Sequence, residues 1–272
     1  MSDNRAIGIF DSGLGGLTVA KEIMKLLPNE DIVYFGDTGR VPYGTRSAET
    51  IKKYALQDER FLLSKDVKII VAACGTVSSV AKETGDSLPV PFVEVISHSV
   101  RQAVNVTRNK KIGVLATNAT IGSHAHKNEI LKYGNDFEIT ENAATLLVPI
   151  VEEGFVAKDD VIALQTVRRY LEPMINVGCD TVILGCTHFP ILKGSMQKVM
   201  GDNVSFINMG YETAKAVKQM LAQSNSLSDK QSAGERNFYV SDKSSTFAKT
   251  ASILLGEEFD ENNVEQVDIN LI

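Results

Sequence analysis

Strand and helix alternate along the whole chain, which predicts an α/β fold built on mostly parallel sheets flanked by helices. Two further observations sharpen the expectation. The run Lys111 to Ala116 (KIGVLA) repeats the character of Ala6 to Phe10 (AIGIF), so the pattern restarts mid-chain. The residues able to do chemistry also cluster just after strand ends, where ligands sit in such sheets. Together these predict two pseudo-symmetric lobes with an active site in the cleft between them.

The elements read as follows. Ala6 to Phe10 is a buried strand ending in Asp11-Ser12-Gly13-Leu14-Gly15-Gly16, a glycine turn that lets the backbone approach a ligand closely. Apolar spacing at Leu17, Ala20, Ile23, Met24 and Leu27 marks a helix that Pro28-Asn29 stops. Asp31 to Phe35 is a second strand, followed by a long polar loop over 36–46 of the kind that often carries function. Ser47 is placed to cap a helix running to about Leu63. Val67 to Ala73 is an apolar third strand delivering Cys74, with a helix starting near Thr76. Phe92 to Ile96 reads as a fourth strand before a helix from about Ser99 to Val106.

After the restart, Thr117-Asn118-Ala119-Thr120 takes the place of the first glycine turn. A short strand is expected near Phe137 to Ile139. Leu146 to Val151 reads as a strand end or loop because of Pro149, and Glu152-Glu153 as solvated loop charges. A helix over Asp159 to Val177 precedes the strand Thr181 to Leu184, which delivers Gly185-Cys186-Thr187-His188. Val204 to Asn208, a helix over Glu212 to Leu221, an exposed Ser-rich loop over 223–236, Asn237 to Val240, a helix near Ser244 to Leu255 and Val264 to Ile269 complete the chain.

At 272 residues, 43% hydrophobic and 23% charged, this is the composition of a soluble globular protein with room for a large core. A net charge of −6 argues against nucleic-acid or anionic-membrane partners. No apolar run reaches the roughly 18 residues that a membrane span needs. The polar start Met1-Ser2-Asp3-Asn4-Arg5 lacks an export signal, and three unclustered cysteines suit a reducing cytoplasm.

Cys74, Cys186 and His188 offer three chemistries. A metal site is disfavoured by the absence of paired ligand spacing, with only four histidines in the chain. A Cys–His nucleophile does not explain two cysteines in matched positions. Two thiols facing each other across one pocket suit proton removal from one face of a carbon and return to the other, a racemisation or epimerisation without a cofactor. Each thiol must then become a thiolate, helped by a helix N-terminus after Cys74 and Cys186 and by Asp11 and His188. Ser12, Thr76, Thr117, Thr120 and Thr187, with backbone N–H groups at Gly44 and Gly75, would hold a small polar substrate. The plainer readings are a loop carboxylate for Asp11, a helix-start imidazole for His188, a packing aromatic for Tyr43, and a small buried hydrophobe for Cys179.

Asp11-Ser12-Gly13-Leu14-Gly15-Gly16-Leu17-Thr18-Val19, Tyr34-Phe35-Gly36-Asp37-Thr38, Val41-Pro42-Tyr43-Gly44-Thr45-Arg46-Ser47 and Leu184-Gly185-Cys186-Thr187-His188-Phe189-Pro190 together resemble the glutamate racemases of the aspartate/glutamate racemase family. The resemblance implies a cofactor-independent enzyme interconverting L- and D-glutamate for peptidoglycan, and a homodimer. It implies a first lobe of 1–97 plus 208–272 and a second of 98–207. By family role Cys74, with Asp11, deprotonates D-glutamate, and Cys186, with His188, deprotonates L-glutamate. Ser12, Tyr43, Gly44, Gly75, Thr76, Thr117, Thr120 and Thr187 fall on substrate-holding positions. The chain departs from the pattern at Gly75 (commonly Asn), Val95–Ser99 (commonly a Glu-Pro-Gly-like run), Asn118 (commonly Gly) and Asn208 (commonly Asp). The alternatives are a racemase for another acidic amino acid such as aspartate, and a non-catalytic amino-acid-binding protein on the same fold.

Overall fold

The computed structural model describes residues 2–85 and 87–271. The strands are β1 (Ile7–Asp11), β2 (Ile32–Gly36), β3 (Ile69–Ala72), β4 (Phe92–Glu94), β5 (Lys111–Ala116), β6 (Glu138–Ala143), β7 (Thr181–Gly185), β8 (Ser205–Asn208), β9 (Arg236–Val240) and β10 (Val264–Gln266). They form two sheets, in the orders β10-β9-β2-β1-β3-β4 and β6-β5-β7-β8, and every pairing is parallel.

The repeat seen in the sequence is a repeat of topology. Each sheet contains the order second-first-third-fourth, with β1 and β5 in the centre and β3 and β7 in the third place. Cys74 follows β3 and Cys186 follows β7, so the two cysteines leave equivalent strand ends. Both of these strands are buried throughout, as expected of parallel strands covered on both faces.

Helices cover the sheets: α1 (Leu17–Leu26), α2 (Ala48–Ser64), α3 (Gly75–Val80), α4 (Lys82–Gly85), α5 (Val95–Val106), α6 (Asn118–Gly122), α7 (Ala125–Leu131), α8 (Leu147–Glu153), α9 (Val161–Val177), α10 (Lys193–Met200), α11 (Met209–Gln223) and α12 (Phe247–Leu255). Ser47 caps α2 as expected, accepting from Thr50 N at 3.3 Å.

Several elements differ from the sequence reading. The fourth strand stops at Glu94, and α5 begins at once, because the Glu94 carboxylate accepts from Ile96 N at 2.6 Å and Ser97 N at 3.1 Å. The stretch expected as a strand end or loop around Pro149 is α8. Pro149 is its third residue, inside the first turn, where a missing N–H costs no hydrogen bond. Gly154, at φ 91°, closes that helix. Asn208 caps α11 through Gly210 N at 2.9 Å, which starts the helix three residues before Glu212. The last strand ends at Gln266 rather than Ile269.

Within the expected loop, residues 224–235 have no regular structure, yet the stretch is tied down. Lys68 and Glu30 form a buried ion pair at 2.5 Å. Lys68 Nζ also donates to Ser226 O at 2.8 Å, and Glu30 accepts from Ser228 N at 2.8 Å. Among the described residues, no helix is long and apolar enough to cross a membrane.

Candidate active site

The carboxyl ends of β1, β3, β5 and β7 open onto one cavity of about 550 Å³. Asp11, Ser12, Tyr43, Gly44, Cys74, Gly75, Thr76, Thr117, Cys186, Thr187 and His188 all line it. Of the expected site residues only Thr120 does not: it is fully buried behind Thr117, whose hydroxyl lies 3.0 Å from its own. Thr117 in turn meets Thr76 at 3.1 Å, so a hydroxyl chain crosses from one lobe to the other.

On the first side, Asp11 ends β1 and is 2% exposed. Its Oδ2 accepts from Gly13 N at 3.0 Å, while Oδ1 has no partner among the described residues. Burial raises the Asp11 carboxyl above its ordinary range; the His188 charge and the backbone N–H groups of Gly16, Gly13 and Ser12 pull it only partly back. Gly16 has to be bare, because a Cβ there would lie 2.5 Å from Asp11 Cβ. Cys74 is buried, and its thiol donates to Ser12 Oγ at 3.3 Å. Burial, then the neighbouring Asp11 charge, pushes this thiol up to about 12. The N-terminus of α3 is where the sequence placed it, directly after Cys74. Its six residues do not offset desolvation, and Cys74 is held as a thiol.

The second side is built differently. The expected α-helix start after Cys186 is a 3-10 turn over Phe189–Leu192, and the positive charge comes instead from a side chain. Cys186 Sγ lies 3.9 Å from His188 Nδ1, and His188 Nε2 lies 3.0 Å from Glu152 Oε1. Burial alone would lower the imidazole, but the Cys186 sulfur and the Glu152 carboxylate outweigh it and raise it to about 10. Glu152 was expected to be a solvated loop charge. It sits on α8 with a half-exposed side chain and orients the imidazole that faces Cys186. Nothing in spacing joins two residues that far apart, and the proline before Glu152 hid the helix that carries it.

Two glycines let the lobes close on each other. A Cβ on Gly15 would overlap Thr187 Oγ1 and lie 2.6 Å from His188 Cε1. A Cβ on Gly75 would lie 2.6 Å from the Gly185 carbonyl oxygen. At the position where Asn is common, the backbone of β7 fills the space instead. Thr18 Oγ1 donates to Thr187 O at 2.8 Å and adds a polar tie between α1 and the Cys186 loop. Tyr43 lines the cavity with its ring, but its hydroxyl points away into a cluster with Asp37 and Asp58. Thr38, Asp242, Ser244, Thr246 and Thr250, none of them expected from sequence, also line the cavity. Cys179 is buried, apart from the cavity. Among the described residues, no group of three or more His, Cys, Asp or Glu side chains is arranged to hold a metal ion.

Known proteins resemble this chain over most of its length. A family model described as Asp/Glu/Hydantoin racemase matches residues 15–217. A glutamate racemase from Geobacter metallireducens is 42% identical over 253 residues, 93% of each chain. The crystal structure of glutamate racemase from Francisella tularensis in complex with D-glutamate has a TM-score of 0.90 at 37% identity, covering 99% of this chain and all (100%) of that one. That of the Thermus thermophilus enzyme in complex with beta-chloro-D-alanine has a TM-score of 0.88 at 35% identity, with 100% of both chains covered. The chain belongs to the Asp/Glu/hydantoin racemase family.

Proposed function

We propose that the protein is a glutamate racemase that exchanges the Cα proton between two thiols, without metal or cofactor. The observation that carries this reading is the placement of Cys74 and Cys186 at equivalent strand ends on one cavity, each with its own polar partner. The curated relatives are glutamate racemases, and the Francisella neighbour holds D-glutamate.

The resting protonation states suggest a direction. Cys74 holds its proton, and His188 stands as a cation beside Cys186. L-glutamate then loses its Cα proton to the Cys186 sulfur, and the Cys74 thiol delivers a proton to the opposite face. The product leaves with Cys74 as the thiolate and Cys186 as the thiol. D-glutamate runs the same steps backwards, with Asp11 as the acceptor beside Cys74. The carbanion needs its negative charge spread into the substrate carboxylate and held there by preorganised donors. The backbone N–H groups at Gly44 and Gly75 and the hydroxyls of Ser12, Thr76, Thr117 and Thr187 are assigned that role, with Thr120 holding Thr117 in place.

By resemblance, we assign a cytoplasmic homodimer that supplies D-glutamate for peptidoglycan, with lobes of 1–97 plus 208–272 and of 98–207. The two sheets, drawn from 7–94 with 236–266 and from 111–208, support that division except at Asn208, which belongs to the second sheet. Purified protein in the presence of a chelator and without added cofactor should abolish the optical activity of L-glutamate and of D-glutamate. Equal or faster turnover of aspartate, or an inert folded sample, would overturn the assignment.

A further inference from the structure

Beneath the cavity, the loop after β2 is anchored by a polar cluster that the proton transfer itself does not use. The Tyr43 hydroxyl lies between the carboxylates of Asp37 and Asp58, both fully buried. Its contact with Asp37 Oδ2 is short, and Asp58 Oδ2 is 3.1 Å away. Arg40 bridges the same two carboxylates, with Nε at 2.5 Å from Asp37 and Nη2 at 2.9 Å from Asp58. The guanidinium also stacks 4.1 Å from the Tyr54 ring. Ser241, just past β9, donates to Asp37 Oδ1 at 2.7 Å.

Counting protons decides how this cluster is wired. A phenol has one hydrogen to give. Asp37, already the acceptor for Arg40 and Ser241, is also the closer partner and takes it. The remaining contact sets the Tyr43 oxygen against Asp58 Oδ2, two lone-pair atoms in a dry site, unless Asp58 brings a hydrogen of its own. The charge balance agrees, since a protonated Asp58 leaves one carboxylate against one guanidinium. Burial and the Asp37 charge raise Asp58 well above the carboxylate range, and the Tyr43 phenol is pushed far up as well.

We propose that Asp58 is a neutral carboxylic acid that donates to Tyr43 and thereby positions the Pro42–Tyr43–Gly44 segment over the substrate. The Tyr43 hydroxyl ties the segment to this cluster below, while Gly44 reaches across to Thr117 of the other lobe, close enough that an added Cβ would sit 3.4 Å away. Asp58 touches no reacting atom and does not line the cavity, so it is a positioning residue, acting on substrate binding through Gly44. This rests on the reading that Gly44 faces glutamate.

Two measurements test it. The first is infrared spectroscopy of the intact protein at neutral pH, which should show a protonated-carboxyl C=O stretch that D58N lacks. This readout does not depend on the reaction, so it survives even if the substrate is misassigned. The second is kinetics. An Asn at 58 can donate to Tyr43 and accept from Arg40, so D58N should keep KM for glutamate within about threefold of wild type. D58L loses both bonds and should raise KM by about tenfold, with kcat within about threefold. A wild-type spectrum without that band, a D58N protein as impaired as D58L, or a folded D58L with unchanged KM would each overturn the proposal. If D58L fails to fold, the infrared band and the D58N constants still decide.

Discussion

Cys74 sits beside a hydroxyl and a carboxylate, while Cys186 sits beside an imidazole that a second carboxylate holds in place. The strands that deliver them occupy the same place in two sheets of matching order. The order of four strands is therefore matched between the sheets while the electrostatics are not. On one side burial and Asp11 keep the proton on sulfur. On the other, His188 at about 10 offers a cation to a sulfur 3.9 Å away. A racemase needs one acid and one base at any instant, and in the proposed two-thiol mechanism this difference would supply them.

The comparison breaks most sharply at the thiols themselves. Cys74→Ser and Cys186→Ser should each lower racemisation by roughly 10³-fold or more, because serine is a far weaker acid and neither side can replace the other. Retention of wild-type turnover by either variant, followed by circular dichroism of glutamate, would end the two-thiol account.

Removing one partner should expose the asymmetry. His188→Asn is expected to slow L-to-D turnover by roughly 10²-fold and D-to-L turnover less, measured as initial rates in the two directions. Equal losses in both directions would mean that His188 serves both thiols.

Glu152→Gln should be milder, about tenfold in the L-to-D direction, since it removes a group that orients and charges the imidazole. It should also move a pH limit. The raised His188 gives stability that is fully present below its ordinary 6.5 and is lost as pH rises through about 10. The alkaline fall of L-to-D turnover should follow the same folded-state value and shift downward in Glu152→Gln. An unmoved alkaline limb would remove Glu152 from the site.

The smallest effect is expected at the point where the lobes meet. Gly75→Ala must push the Gly185 carbonyl aside, and should reduce both directions alike, by about fivefold, through misplacement rather than altered charge. A loss confined to one direction would place Gly75 on one side of the chemistry.

The alternation of strands and helices was legible because parallel strands buried on both faces, such as Ile69–Ala72 and Thr181–Gly185, read as unbroken apolar runs. The convergence of Cys74, Cys186, Asp11 and His188 on one cavity was legible because ligands sit beyond strand ends in such sheets. Glu152 was not, since its partnership with His188 is purely tertiary and Pro149 disguised its helix. The early start of α5 was missed because a glutamate rather than Ser, Thr, Asp or Asn provides its cap. The state of Cys74 could not be read from the helix that follows it, because desolvation outweighs a six-residue helix start. Tyr43 was placed at the cavity correctly, but only the fold shows that its hydroxyl belongs to Asp37 and Asp58.

The claim that two different thiols serve the two faces of Cα is tested most directly by starting with L-glutamate in D2O and stopping early. Each product molecule should carry deuterium at Cα, delivered by Cys74, while recovered L-glutamate stays unlabelled. Deuterium appearing in recovered L-glutamate as fast as in D-glutamate would mean that a single base serves both faces, and would contradict the account.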